Sequence, residues 1–232
     1  MSYIKVDNLT KSYGKKVVFN NTSFSLPKGE IIGLLGPNGC GKSTFMKILT
    51  GIIHDYSGEV LIDGFVPGEN TKAFTAYLPE QSFVHDWMRN IDAIDYFNDF
   101  FKDFDKAKAL ELLHLFELDP KQKAKTMSKG MQEKLLLSLT MSREASLYVL
   151  DEPMGGVDPA TRGNILSFIM NNYAEKSTLL ISTHLINDLE EVFTHAVFMN
   201  DGKILLNDSV SDIKKDGKSL NDVFKEVFCN VW

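Results

Sequence analysis

The stretch GPNGCGKST, residues 36–44, carries the strongest structural signal in this chain. Gly36 and Gly41 bracket four residues and are followed by Lys42 and Ser43, which is the spacing of a phosphate-binding loop. Glycines let the backbone turn tightly and bring its N–H groups close to an anion, and a helix beginning here would present its positive end to the same anion. The lysine can reach the β- and γ-phosphates, and the serine hydroxyl can ligate Mg²⁺. We therefore expect a nucleotide to be held by Gly36, Pro37, Asn38, Gly39, Cys40, Gly41, Lys42, Ser43 and Thr44.

The composition is that of an ordinary globular protein. The chain has 232 residues, of which 44% are hydrophobic and 24% charged, and a formal net charge of −6. A net negative charge gives no sign of a basic surface that would bind nucleic acid, so no nucleic-acid partner is expected. Cys40 and Cys229 are interpreted as free thiols, and Cys40 is either open to alkylation inside the loop or buried and inert. With no signal peptide and no apolar run long enough to cross a bilayer, we expect a cytoplasmic protein whose membrane role depends on a partner.

Apolar periodicity predicts an α/β fold. Residues 3–26 alternate in the manner of half-buried antiparallel strands, whereas the apolar runs at 31–35, 146–150 and 178–182 are typical of parallel strands buried on both faces. Helical patterns lie between and after them, which indicates a three-layer core of the phosphate-loop NTPase type with an N-terminal antiparallel β subdomain. We expect one domain over residues 1–232, with this core in 1–85 and 146–232.

An inserted helical subdomain is predicted for residues 86–145. Its first part has helical spacing without internal Gly or Pro, and a further helix is expected from about Met131 to Glu144. Its aromatic residues exceed what one helix can bury, so they either form the core of the subdomain or line a groove for a partner. A short amphipathic helix is predicted in the tail, 219–228. The aromatic residues in question are Trp87, Tyr96, Phe97, Phe100, Phe101 and Phe104.

Two further apolar strands end in residues that suit phosphate chemistry. Asp151 and Glu152 follow the strand at 146–150, and His184 follows the strand at 178–182. The carboxyl ends of parallel strands meet at one edge of the sheet, so these side chains should point toward the phosphate loop. There Asp151 suits the Mg²⁺ shell, Glu152 is placed to polarise an attacking water, and His184 can donate to the γ-phosphate.

A second anion site is predicted at Ser128 and Gly130, because a helix with a small-residue cap begins there. One loop already serves one ATP, so this helix end is expected to serve the nucleotide of another subunit.

The order of GPNGCGKST, SKGMQ, LDEP, GGVD and STH resembles the nucleotide-binding domain of ATP-binding cassette (ABC) proteins over essentially the whole chain. The resemblance implies that Tyr13 stacks on adenine, that 128–132 closes over the γ-phosphate of a partner subunit, that Asp158 lies at the dimer seam, and that His184 is a switch histidine. The signature departs from the family's pattern at Met127, Lys129 and Met131 and keeps Ser128 and Gly130.

The family also has a glutamine that reaches Mg²⁺ and the attacking water. This chain reads AYLPEQ, and alignment on YLP places Glu80 at that point, whereas chemistry favours Gln81 because a neutral amide both donates and accepts. Both residues stay candidates.

Three functions are compatible with a phosphate loop. The one that uses every motif is an ATPase that pairs as a homodimer or heterodimer around two ATP with Mg²⁺ and drives a separate integral membrane permease, at the inner face of the cell membrane. Within the family, the ending and the signature look most like export-type cassettes. The alternative is a non-transport cassette ATPase acting in DNA repair, on chromosomes or on the ribosome. A kinase or GTPase would leave SKGMQ, LDEP and STH without a role.

Overall fold

A computed structural model describes residues 2–155, 159–174 and 176–229. The strands are β1 (Ser2–Tyr13), β2 (Lys16–Pro27), β3 (Ile31–Leu35), β4 (Ser57–Ile62), β5 (Thr75–Leu78), β6 (Leu147–Asp151), β7 (Thr178–Thr183), β8 (His195–Asn200) and β9 (Lys203–Ser209). The α-helices are α1 (Lys42–Leu49), α2 (Glu69–Lys72), α3 (Asn90–Phe100), α4 (Lys106–Leu115), α5 (Lys129–Met141), α6 (Pro159–Asn172), α7 (Ile186–Leu189), α8 (Val210–Ile213) and α9 (Leu220–Cys229).

A six-stranded sheet in the order β5-β6-β7-β3-β8-β9 forms the centre of the molecule. All its pairs are parallel except β8 with β9. The side chains of β3 alternate between two apolar clusters: Ile31 and Leu35 join one, and Ile32 and Leu34 join the other. Burial on both faces explains the continuous apolar run IIGLL, as the sequence predicts.

A second, antiparallel sheet in the order β2-β1-β4 covers one face of this core. Its buried residues, among them Ile4 and Phe19, share a cluster with Phe45 and Met46 of α1. The predicted α/β core with an N-terminal antiparallel β subdomain is therefore confirmed.

Helices α3, α4 and α5 pack around an apolar cluster of their own, which includes Ile94, Leu113 and Leu135. Helix α5 begins two residues before the predicted start, because the Ser128 hydroxyl caps it by accepting from the Met131 N–H at 3.3 Å. It also ends earlier than predicted: beyond Met141 the chain turns back, and the Glu144 N–H donates to the Asp103 carbonyl at 2.9 Å.

Some aromatic residues of this region form the core of the three-helix region, and others are exposed and free to contact a partner. Phe97 and Phe104 are buried at 9% exposure, Phe101 is half-buried, and the other three are exposed, at 48% for Tyr96, 65% for Trp87 and 67% for Phe100. The tail helix α9 packs its apolar face on the main core, as predicted. Among the described residues, the helices are too short or too polar to span a bilayer.

Arg143 joins the three-helix region to the edge of the central sheet. Its guanidinium, 4% exposed, binds the Asp103 carboxylate through Nε at 3.0 Å and through Nη2 at 2.9 Å. It also donates to the carbonyls of Thr75 at 2.8 Å and Lys72 at 3.0 Å, and it lies 3.9 Å from the centre of the Phe101 ring. One buried cation therefore satisfies acceptors from both parts of the molecule.

Replacement of Arg143 by leucine should lower the free energy of unfolding by about 3 kcal/mol, because it leaves buried acceptors without a donor. Urea denaturation followed by circular dichroism measures this. Arg89→Leu is the matched control: its pair with Asp92 is solvent-exposed, so its loss should destabilise the protein far less than the loss of Arg143. Equal losses in the two variants would contradict the joining role of Arg143.

Candidate active site

The phosphate loop connects the end of β3 to the start of α1, as the sequence predicts. Gly41 precedes the helix and has φ of 117°, a backbone conformation that residues with a side chain rarely adopt. Gly36 has no room for a side chain, since a Cβ there would overlap the carbonyl oxygen of Met199. The two motif glycines are therefore required by backbone conformation and by close packing.

Lys42 is held inside the loop. Its side chain is 6% exposed, and its Nζ donates to the carbonyls of Gly36 at 2.7 Å and Pro37 at 3.2 Å. The same nitrogen lies 4.0 Å from Oε1 of Glu152. The loop therefore holds its cation in place with carbonyl oxygens that are neutral and can be exchanged for phosphate oxygens.

Asp151 lies at the centre of a hydroxyl network. The Ser43 hydroxyl donates to Oδ1 of Asp151 at 3.1 Å, and the Ser182 hydroxyl donates to the same oxygen at 2.6 Å. Asp151 and Ser182 are paired across the parallel strands β6 and β7, and the aspartate is 2% exposed. A buried carboxylate beside a serine hydroxyl is a hard oxygen donor set, which fits Mg²⁺.

Glu152 and His184 form a pair. Nδ1 of His184 lies 3.0 Å from Oε2 of Glu152, and the glutamate backbone has φ of 49°. The Glu152 N–H donates to the Ser182 hydroxyl at 2.9 Å. Burial raises the pKa of the Glu152 carboxyl, while His184 and Lys42 offset part of this rise. The glutamate is therefore a stronger base than an exposed one, and it is oriented by the imidazole.

One cavity of about 510 Å³ gathers most of the predicted residues, and its volume is typical of small-ligand sites. Its wall is formed by Tyr13, Lys16, Val18, Asn38, Gly39, Gly41, Lys42, Ser43, Thr44, Glu80, Lys129, Glu133, Glu152, Gly155 and His184. Tyr13 is half exposed there, as a stacking platform requires. Gly36, Pro37 and Asp151 lie behind this wall, where they hold Lys42 and Ser43.

Cys40 does not reach the cavity. Its side chain is 3% exposed and packs in the apolar cluster under the loop, and burial raises the pKa of the thiol. Its N–H donates to the Pro37 carbonyl at 3.4 Å and its carbonyl accepts from the Gly202 N–H at 3.0 Å. Of the two interpretations of this thiol, the geometry favours the buried one.

The two candidates in AYLPEQ differ in position. Both side chains are exposed, but Glu80 lies on the cavity wall and Gln81 does not line it. The geometry thus favours Glu80, against the chemical preference for Gln81.

The first turn of α5 lies partly on the same cavity. Lys129 and Glu133 line it, 3.9 Å apart, and burial raises the pKa of the Glu133 carboxyl. Ser128 and Gly130 do not line it, and a Cβ added to Gly130 would meet nothing within 4 Å. The predicted anion site therefore remains open toward its surroundings. Asp158 lies outside the described residues.

Sequence reasoning missed several site residues. Lys16 and Val18 follow Tyr13 on the β1–β2 hairpin, which carries no motif of its own. Ser182 could have been found, since it lies at the carboxyl end of the strand next to the one that carries Asp151.

Comparison with known proteins agrees with this geometry. The sequence pattern of the ABC transporter family matches residues 19–155. The lantibiotic transport ATP-binding protein SrtF of Streptococcus pyogenes is 31% identical over 207 residues, 88% of this chain and 89% of that protein. The SkfA peptide export ATP-binding protein SkfE of Bacillus subtilis is 28% identical over 97% of both chains. A solved ATP-binding subunit of an ABC transporter superposes with a TM-score of 0.85, at 24% identity and covering 98% of this chain and 100% of that one.

The chain belongs to the ABC transporter family. It is the ATP-binding component of such a transporter, an ATPase whose hydrolysis of ATP is coupled to transport.

Alanine at Glu80 and alanine at Gln81, made separately, should distinguish the two candidates. The residue that serves catalysis should lower kcat while leaving the affinity for ATP close to that of the wild type, because it contacts the attacking water more than the bound phosphates. From its place on the cavity wall, Glu80 is expected to be that residue. Steady-state ATPase kinetics and calorimetric ATP titration measure both quantities. Wild-type turnover in both variants would mean that neither residue is catalytic.

Proposed function

We propose that this chain powers an exporter whose permease is a separate membrane protein, and that it is held by that permease at the inner face of the membrane. The observation that carries the proposal is the single cavity in which Lys42, Glu152 and His184 meet. SrtF and SkfE, whose names describe lantibiotic transport and peptide export, are matched over 89% and 97% of their lengths, so little besides such an ATPase is present in those proteins. By this similarity the cargo is a peptide.

ATP binding uses the groups already in place. Adenine stacks on the half-exposed ring of Tyr13, and the loop N–H groups receive the phosphates. Lys42 exchanges the carbonyls of Gly36 and Pro37 for the β- and γ-phosphates, which are charged acceptors and therefore form stronger hydrogen bonds.

The attacking water is activated by Glu152. Its carboxylate accepts the proton of a water placed in line with the γ-phosphate, and its raised pKa makes that transfer more favourable. The Nδ1–H of His184 donates to Oε2 and keeps the carboxylate in one orientation. Such general-base assistance contributes about 10²–10⁴ in rate.

Ser43 and Asp151 would hold Mg²⁺, with Glu80 or Gln81 as a further oxygen ligand. When bound, the ion neutralises charge on the β- and γ-phosphates. Ser43 and Asp151 are already oriented in the chain: the Ser182 hydroxyl holds the Asp151 carboxylate, and Ser43 lies in the first turn of α1.

Two copies, or one copy and a related chain, close around two ATP. The support for this is the capped start of α5, where Ser128 is exposed and Gly130 is open to its surroundings. A helix N-terminus of this kind attracts phosphate. The γ-phosphate of the ATP bound to one subunit is therefore also bound by the backbone N–H groups of Ser128–Gly130 in the other subunit. The resemblance in sequence also implies a role at this seam for Asp158, which lies outside the described residues.

Replacement of Glu152 by glutamine should trap that dimer. The change keeps the shape but removes the base, so ATP stays bound between subunits and favours the associated state by mass action. We expect a monomer without nucleotide, a dimer with Mg-ATP and a monomer with ADP, and a fall in turnover of about 10²–10⁴. Size-exclusion chromatography with light scattering and an ATPase assay measure these.

Glu69→Gln is the matched control, since Glu69 starts α2 and is not among the residues that line the described cavity. It should behave as the wild type, which hydrolyses the ATP that joins its subunits. A monomeric Glu152→Gln variant with wild-type turnover at saturating ATP would refute both the base assignment and the dimer.

The permease is proposed to dock in an apolar groove of about 280 Å³ between the central sheet and the three-helix region. Exposed Ile52, Phe83 and Tyr96 lie on its rim, and Arg143 lies in its wall. Of the six aromatic residues considered in the sequence as a possible partner groove, three line this one and three do not. Those that line it are Tyr96, Phe97 and Phe101. An apolar element of the permease would bury them.

Tyr96→Glu should abolish co-purification of an integral membrane protein with the tagged chain, because it places a charge in the groove that the permease would have to desolvate. Leu115→Glu is the matched control, since Leu115 is 64% exposed on α4 and does not line the groove. Pull-down from detergent-solubilised membranes and mass spectrometry give the measurement. If Tyr96→Glu retains as much membrane protein as the wild type, or if the wild type retains none, docking of a separate permease in this groove is refuted.

A further inference from the structure

We propose that the turn between β8 and β9 positions the phosphate loop, acting through Gly202 and Thr22. The inference rests on the binding of ATP in the cavity described above, and it concerns how one amide of the loop is aimed. Neither residue lines the cavity, so both are positioning residues.

Two hydrogen bonds connect β2 to the loop through this turn. The Gly202 N–H donates to the Cys40 carbonyl at 3.0 Å. The Gly202 carbonyl in turn accepts from the Thr22 hydroxyl at 2.6 Å, and Thr22 is 8% exposed. A buried threonine on the antiparallel sheet thus fixes the glycine that holds the phosphate loop.

The direction of the Cys40 carbonyl decides the direction of the next amide. The described chain has no cis peptide bonds, and in a trans peptide the C=O and the following N–H point to opposite sides. Because the Cys40 carbonyl faces the turn, the Gly41 N–H faces away from the turn. Gly41 lines the cavity, so we infer that this N–H is offered to a phosphate there. A peptide bordered by glycine can rotate at low cost, so an external anchor is needed to keep this N–H available for phosphate.

The turn packs too closely against β2 for any other residue at Gly202. Its φ is +70°, and a Cβ there would overlap the carbonyl oxygen of Val18. Met199, at the other side of the turn, lies against Gly36, where a Cβ would overlap the Met199 carbonyl oxygen. The phosphate loop is therefore supported by the end of β8 at Gly36 and by the turn after it at Cys40.

The test removes the Thr22 hydroxyl and leaves the close packing around Gly202 intact. Thr22→Val keeps the side-chain volume but leaves the Gly202 carbonyl without its donor, which should weaken Mg-ADP binding and raise the KM for ATP about five- to tenfold. We expect kcat to stay within about twofold, because Lys42, Glu152 and His184 are untouched. Thr22→Ser keeps the hydroxyl and should restore both constants.

Ser177→Ala is the matched control. It removes a buried hydroxyl that donates to the Ala145 carbonyl at 2.6 Å, and Ser177 is not among the cavity-lining residues. It should leave KM unchanged even if its thermal stability falls. Calorimetry measures the affinity of the loop for Mg-ADP, free of turnover and of ATP-driven association. Steady-state kinetics give KM and kcat.

Several outcomes would overturn the proposal. The KM for ATP could stay at the wild-type value in Thr22→Val, or it could rise equally in Ser177→Ala. Thr22→Ser could fail to restore the KM and the affinity for Mg-ADP. Thr22→Val could also lower kcat at constant KM, which would indicate loss of folded protein alone. If Thr22→Val does not fold, Thr22→Ala removes the same hydroxyl and is judged by the same criterion. Failure of the wild type to bind Mg-ADP would instead refute the site assignment.

Discussion

The parallel pairing of β6 with β7 is the constraint on which the site depends. It places Asp151 directly beside Ser182, and the hydroxyl of Ser182 then holds the Asp151 carboxylate and accepts the Glu152 N–H. Because β3 pairs on the other side of β7, the loop that carries Ser43 reaches the same carboxylate. A shift of one residue in this register would turn Asp151 to the opposite face of the sheet and separate the metal ligand from the loop.

The elements that the sequence predicted well are those with local causes. The apolar run of β3 and the glycine spacing at Gly36 and Gly41 each carry their own physical requirement, burial on both faces in one case and backbone conformation in the other. The predicted start of α5 is two residues late, because the Ser128 hydroxyl caps the helix and Lys129 and Gly130 already belong to its first turn. The fold class can therefore be predicted from short stretches of sequence, because the cause of each of these patterns lies within the stretch itself.

What the sequence could not supply is the set of contacts between distant segments. Nothing in the neighbourhood of Thr22 indicates that its hydroxyl meets Gly202, which is 180 residues away. Similarly, the choice between Glu80 and Gln81 depends on how the chain leaves β5, and only the packing decides which side chain turns into the cavity. The direction of Cys40, into the core and away from the nucleotide, has the same origin.

The short strand β5 has a mechanical consequence. At its start the Thr75 carbonyl holds Arg143, and two residues beyond its end Glu80 enters the ATP cavity. All four of its residues are paired with β6, so the strand behaves as a stiff rod about 13 Å long. A paired strand cannot shorten, so β5 sets the distance between the carbonyl that binds Arg143 and the segment that carries Glu80. The three-helix region and the ATP cavity are thus joined by one short piece of backbone.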